Sequence, residues 1–323
     1  MDKAEGIEGR RDLDNIPYKG LKCRTGKYIP TGINTIDNAI NDLVPGAVTL
    51  IAGRTNGGKT TYIKQIVVNA IDRGNKVYVV SGEGDTETYI NELYQCVIGR
   101  NSNYYDLVKL NKRFIKEPKP DVLAALRKWH EKKLVIFSKY ESKLKTLDQL
   151  FEMMAKEVDT QRHNLIIIDN LMSVVSAQAS EKNEVQADFM QRCIHLAGAY
   201  RCHCILVLHP NKTYQKGQHL EIEQISGTMD LGNKADNIIS VIREYDEEKI
   251  AQGINGSISV IKNRYYTDIT TAQTHYEKET GLLLEIDEKT NELTGYNFGW
   301  QKYLKDATKY DWHEVDAKEA MPF

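Results

Sequence analysis

Ala47-Val-Thr-Leu-Ile-Ala-Gly53-Arg54-Thr55-Asn56-Gly57-Gly58-Lys59-Thr60-Thr61 is the stretch on which the fold reading turns. An apolar run ends in a glycine, and Gly53 to Thr60 then satisfies G-x-x-x-x-G-K-[ST] in full. Helical spacing follows from Lys59 to about Arg73. Strand, glycine loop and helix in that order form a phosphate cradle. The glycines let successive backbone N–H groups wrap round phosphates, and the helix N-terminus adds positive potential. Lys59 is expected to reach the β- and γ-phosphates, and the Thr60 hydroxyl to meet Mg²⁺. Gly53, Arg54, Thr55, Asn56, Gly57, Gly58, Lys59, Thr60 and Thr61 are therefore the expected nucleotide-binding set.

Outward from this loop, short apolar runs alternate with helical patterns. Lys76–Ser81, Leu134–Phe137, Leu165–Asp169 and Cys202–His209 read as strands. Thr86–Ile98, Leu147–Val158 and Glu184–Tyr200 read as helices. The runs are continuously apolar, as strands covered by helices on both faces must be. This predicts an α/β fold with a mostly parallel sheet. Asn237–Ile242, Gly256–Ile261 and Gly281–Ile286 have hairpin-like spacing and predict a C-terminal antiparallel extension. Residues 1–28 read as an arm or linker, 29–300 as the core domain and 301–323 as a polar, acidic tail. Leu107 to Lys133, rich in Lys and Arg, reads as a solvated helical face.

Composition narrows the classes. The 323 residues carry 43 Lys and Arg against 45 Asp and Glu, a net charge of −2. Any nucleic-acid partner must then be held by a local basic patch. No apolar run is long enough to span a membrane, and the polar start lacks a signal core, so a cytoplasmic protein is expected. The five cysteines form no C-x-x-C pair and read as reduced thiols.

Three more residues complete the expected chemistry. Asp169 ends an apolar strand at the edge where α/β sheets bind ligands, and is read as the carboxylate of the metal shell. Glu83, flanked by glycines at the end of the second strand, is read as the base, with Asp85 and Glu87 as rivals that suit a helix start equally. His209 ends the strand from Cys202 and could contact a γ-phosphate oxygen or the attacking water.

Taken in order, these residues resemble the RecA-like motor domain of DnaB-type replicative helicases, on the branch of Twinkle and the phage primase-helicases. Ile29-Pro-Thr-Gly-Ile with Pro45-Gly-Ala resembles the domain entry. Val79-Val-Ser-Gly-Glu83, Ile166-Ile-Ile-Asp169-Asn-Leu and Leu206-Val-Leu-His209-Pro-Asn-Lys resemble its nucleotide and sensor strands. Ile225-Ser-Gly-Thr with Lys234-Ala-Asp236 resembles the element behind the sensor loop. Lys262-Asn-Arg264 resembles the basic pair that one subunit inserts into its neighbour's site.

The resemblance implies a RecA-like P-loop NTPase core. It also implies a homo-hexamer hydrolysing ATP or another NTP with Mg²⁺ to move 5′→3′ on single-stranded DNA and unwind duplex at a replication fork. Arg264 would be the finger, Lys262 a γ-phosphate sensor and Arg243 a base-stacking arginine. Asn211, Lys212, Lys216 and Gly217 would line the DNA channel. No primase module or helical collar is expected ahead of the motor, and a phage origin fits. The tail ending Met321-Pro-Phe323 resembles tips that dock replication partners such as primase, polymerase or single-strand-binding protein. A solubilising tail is an equal reading. The rival classes are a RadA- or RecA-like recombination ATPase and a KaiC-like nucleotide switch without DNA.

Overall fold

The run Val48–Ala52 becomes β1, buried along its whole length at the middle of a nine-stranded sheet. The computed structural model describes residues 26–306 except 83, 112, 140, 144–145, 171–181, 212–213, 215–219, 226–228 and 288–289. Within them the helices are α1 (Asn34–Ile40), α2 (Lys59–Asp72), α3 (Thr86–Ile98), α4 (Pro120–His130), α5 (Leu147–Gln161), α6 (Lys182–Tyr200), α7 (Met229–Lys234) and α8 (Glu247–Ala251). The other strands of the sheet are β2 (Val77–Ser81), β5 (Leu134–Ser138), β6 (Leu165–Asp169), β7 (His203–Leu208), β8 (Asn237–Arg243), β9 (Gly256–Asn263), β10 (Thr270–Glu277) and β11 (Leu282–Glu285).

The strand order is β11-β10-β9-β8-β1-β7-β6-β2-β5. Every pairing from β8 to β5 is parallel, and β8/β9, β9/β10 and β10/β11 are antiparallel. The pleat explains why the core runs are apolar at every position. Ile51, Val79, Ile167 and Val207 face the layer of α1 to α4. Leu50, Val80, Ile168 and Leu206 face the layer of α5, α6 and α7. Both faces are buried, so alternation would have cost core contacts on one side.

One expected element divides in two. Leu107 to Lys133 does not form a single helical face. Tyr105–Leu110 (β3) and Arg113–Pro118 (β4) pair as an antiparallel hairpin outside the main sheet, and only Pro120–His130 is helix. Asn111 takes φ 53°, the left-handed conformation that tight hairpin turns need. Pro118 and Pro120 stop any helix from running through the segment.

The antiparallel extension is tied to the chain's start. α1 has no side-chain cap of its own, since Ile33 precedes it. The buried Glu285 carboxylate at the end of β11 accepts from the N–H groups of Asn34 (2.7 Å) and Thr35 (3.0 Å). A carboxylate at a helix N-terminus satisfies orphan donors and meets the positive end of the dipole. Glu285→Ala should cost about 2 kcal/mol, as for loss of a charged cap. Urea melts would read this, and an unchanged midpoint would remove the cap from the argument. Nearby, burial lifts the Asp37 carboxyl to about 6, although it accepts from the N–H groups of Thr31 and Gly32.

Candidate functional site

The glycine loop leaves β1 at the carboxyl edge of the parallel strands and enters α2. Its close packing dictates the glycines. A Cβ on Gly53 would lie 2.3 Å from the Val241 carbonyl oxygen of β8, so no side chain fits. Gly58, immediately before α2, has φ +95°, a left-handed value that a Cβ would strain.

Lys59 is buried inside this loop. Its ammonium donates to the carbonyls of Gly53 (2.7 Å) and Arg54 (2.8 Å) and lies 3.3 Å from His209 Nδ1. His209 follows β7, the neighbour of β1, so strand order alone carries it to the loop. Its other ring nitrogen lies 3.4 Å from the Asn170 amide, which follows β6. Lys59, His209 and Asn170 thus form a polar chain across three adjacent strand ends. Sequence reading placed Asn170 in a motif and at the head of a second candidate channel loop, Asn170 to Asn183, most of which lies outside the described residues, and gave it no part at the nucleotide. Its position directly after Asp169 was the available signal.

Asp169 ends β6 at the same edge, half-buried, level with Ser81 of β2. Thr60 is exposed in the first turn of α2. A hydroxyl and a carboxylate are hard oxygen donors of the kind Mg²⁺ takes together with phosphate oxygens. Arg54, Lys59, Thr60, Thr61 and Arg243 line one cleft of about 400 Å³, with Tyr276 at its side. A larger groove of about 910 Å³ runs between α1, the end of α2 and residues 294–298. Its lining sets Asp37, Asp42 and Asp72 against Lys27 and Arg73, and among the described residues it has no glycine loop to wrap a phosphate.

Lys262 and Arg264 are together, but at the opposite edge. The Lys262 ammonium donates to the carbonyls of Gly232 (2.7 Å) and Asn233 (2.9 Å), and Arg264 donates to Asn233 (2.6 Å). Burial, then the nearby Arg264, holds the Lys262 ammonium below the usual lysine range. The buried Asp236 organises this corner. Its carboxylate accepts from the Val48 N–H (2.9 Å) and the Tyr265 hydroxyl (2.5 Å), and stands 3.5 Å from the Arg264 guanidinium. Neither Asp236 nor Tyr265 carried a role in the sequence reading.

Other expected residues stand apart from the site or outside the described residues. Glu83, Lys212, Lys216 and Gly217 lie outside them. Asn211 braces its loop, with its N–H on the Gln224 carbonyl (2.7 Å) and its amide on that of Glu223 (2.8 Å). Asp85, a rival for the base, is the N-cap of α3, accepting from the Thr88 N–H at 2.7 Å. Cys96, Cys193, Cys202 and Cys204 are free and buried. No cluster of metal-binding side chains and no helix able to cross a membrane occurs among the described residues.

A mostly parallel sheet carrying a phosphate loop at its carboxyl edge, with an antiparallel extension beside it, defines a RecA-like P-loop nucleotide-hydrolase core. A family model described as an AAA domain matches residues 24–215, more than half of the chain, and the chain belongs to that family. Solved structures give the same fold. A DnaB-like replicative helicase, solved in a study of its interactions with primase, superposes with a TM-score of 0.65 at 17% identity, over 79% of this chain and 62% of that one. A separately solved ATPase domain gives 0.66 at 17% identity, over 79% and 90%. The RadB recombinase gives 0.54 at 16%, over 78% and 97%. The fold is thus the RecA-like ATPase fold that these three structures share. Among curated proteins, the DNA repair protein RadA of Mycobacterium tuberculosis is 32% identical over 69 residues. That stretch is 21% of this chain and 14% of RadA.

Proposed function

We propose that this protein is an NTP-driven DNA helicase, a homo-hexamer that moves 5′→3′ on single-stranded DNA and separates duplex at a replication fork. The observation that carries the reading is the separation of the phosphate loop from the basic pair. Arg264 N–H bonds to Asp236, whose own N–H bonds to Val48, five residues before Gly53 along β1. At about 3.4 Å per residue this is roughly 17 Å along the strands, with two strand spacings of about 4.8 Å across. No arginine side chain spans that distance. Arg264 can meet a γ-phosphate only in another copy of the chain, which is what a ring with sites between subunits requires.

In this reading Lys59 and the loop N–H groups hold the β- and γ-phosphates, and Arg243 stacks on the base. Thr60 and Asp169 would hold Mg²⁺, which neutralises phosphate charge when bound. Glu83 takes the proton of the attacking water as the γ-phosphoryl group transfers and the nucleoside diphosphate leaves. The neighbour's Arg264 stabilises the transferring group, with Lys262 beside it as γ-phosphate sensor. His209 and Asn170 carry the phosphate state to the loop after β7, where Asn211, Lys212, Lys216 and Gly217 would track DNA. We assign residues 29–300 to the motor, 1–28 to an arm and 301–323 to a partner-docking tail, in a cytoplasmic setting and of phage origin.

His209→Ala should lower DNA-stimulated turnover by about a hundredfold, the low end of the range for a lost acid–base or orienting contact. The KM for ATP should stay within a few-fold, because Lys59 keeps its loop carbonyls. Steady-state kinetics with and without oligonucleotide would check it, and equal losses in both conditions would separate His209 from DNA coupling. Strand separation on a forked substrate tests the whole reading. ATP turnover without unwinding, on filaments instead of rings, would favour the recombinase reading, which the RadA and RadB likenesses support.

A further inference from the structure

The β3–β4 hairpin lies outside the main sheet and is largely exposed. Leu107 is 71% exposed and Phe114 69%. The register pairs Leu107 with Lys116 and Lys109 with Phe114. Those four side chains share one face of the hairpin, since cross-strand partners point the same way. Each apolar group therefore sits opposite an ammonium group in a two-by-two checkerboard. The Lys116 ammonium lies 5.8 Å from the centre of the Tyr105 ring, extending the pattern toward the root. The other face pairs Asp106 with Glu117, Val108 with Ile115 and Leu110 with Arg113, so its lone acidic pair sits at the root beside apolar groups.

The hairpin is firmly rooted. Tyr104, just before β3, packs edge-on against Trp300 with ring centres 4.9 Å apart. Lys119, just after β4, donates its N–H to the Tyr104 carbonyl at 2.9 Å. The Asp72 carboxylate at the end of α2 accepts from Trp129 of α4 and from the Gly299 N–H, both at 2.9 Å. α2 starts at the phosphate loop and ends at Asp72, so this corner lies at the edge remote from the nucleotide cleft. Residues 107–133 hold nine Lys and Arg against three Asp and Glu, in a chain whose net charge is −2. Arg127 and Lys128 are exposed on α4, and Lys302 and Lys128 both stand over the Tyr303 ring.

We infer that the Leu107–Lys109–Phe114–Lys116 face of the hairpin is a second nucleic-acid-binding surface, separate from the sensor loop. Lysines beside the exposed Phe114 ring, with Leu107 next to it, suit a phosphodiester backbone flanking an unpaired base. An acidic polypeptide offers charge without flat bases to cover Phe114. The inference extends the helicase reading but rests on these separate observations.

The test is fluorescence anisotropy of the full chain with a labelled single-stranded oligonucleotide and with its duplex, across a salt series. Lys109→Ala/Lys116→Ala should weaken binding at least tenfold at about 0.1 M salt and flatten the log–log salt slope by about 1.5. Lys109→Arg/Lys116→Arg should restore both, and nucleotide turnover without DNA should be unchanged in each variant. Phe114→Ala should weaken the single strand by about fivefold or more, the effect of one lost stacking contact. A larger Phe114→Ala effect on the single strand than on the duplex assigns the site to unpaired bases, and an equal effect assigns it to duplex. Unchanged affinity and slope in the alanine pair would overturn the inference, as would polyglutamate competing as well as the oligonucleotide. Wild-type turnover that ignores DNA would instead sink the helicase reading and leave hairpin-dependent binding standing.

Discussion

Lys59→Ala should reduce nucleotide turnover to background, at least a thousandfold, with nucleotide affinity falling as well. Lys59 is the buried cation of the loop, held by the carbonyls of Gly53 and Arg54 at 2.7 and 2.8 Å. Those two contacts orient the ammonium before any phosphate arrives, so its charge acts with little reorganisation. Alanine removes the charge and leaves the Gly53 and Arg54 carbonyls without their ammonium donor. It also removes the neighbour 3.3 Å from His209 Nδ1, so phosphate reading should fail together with hydrolysis. Phosphate-release assays and fluorescent-nucleotide titration measure the two effects. The fold should survive, because α2 is anchored by Tyr62, Ile63, Ile66 and Val67 in the core, and a circular-dichroism melt checks this. Residual turnover above about one percent of wild type would show that another cation carries the phosphate charge.

Arg264→Ala should lower turnover by about 10³-fold or more, the range for a lost arginine finger, while nucleotide affinity changes little. The arginine is 45% exposed, and its anchors, the Asn233 carbonyl and the Asp236 carboxylate, lie at the far edge of the sheet from its own phosphate loop. Its loss should therefore leave its own cleft intact. The decisive form of the test mixes subunits. Glu83→Gln, the proposed base variant, should bind nucleotide and fail to hydrolyse it. In the proposed ring, subunits of both variants together would create some interfaces with an intact Glu83 on one side and an intact Arg264 on the other. Mixed rings should recover a fraction of wild-type turnover that neither parent shows. Complete inactivity at every mixing ratio would remove the trans role. Recovery fixes the site between copies without reference to DNA, so this outcome is independent of strand separation.

Most of the core was legible because the information is local. The phosphate loop announces itself through glycine spacing, and the apolar runs of β1, β2, β6 and β7 announce burial on both faces, while the like run of β5 is a half-buried edge strand. Thr86–Ile98 is a helix with the bounds its apolar spacing implies, and Asp85 starts it as an acidic cap should. β10 escaped notice. Thr270-Thr-Ala-Gln-Thr-His-Tyr-Glu277 has no apolar run, and it is a strand because β9 and β11 offer ladders on either side. The hairpin of β3 and β4 was hidden by its lysines, whose spacing also suits a helix. The prolines and the turn at Asn111 decided the matter.

By itself the sequence determined a phosphate-binding loop, a covered parallel sheet and the set of strand-end residues available for chemistry. Each depends on neighbours a few positions apart, where steric limits and side-chain period act directly. Only the tertiary structure decided which residues meet. It brought His209 to Lys59 and Asn170 to His209, and it capped α1 with a carboxylate 251 positions away in the chain. It also set Arg264 at the edge opposite its own loop, because β9 runs antiparallel to β8. Strand order and direction are long-range properties of the packed sheet, and no local spacing encodes them.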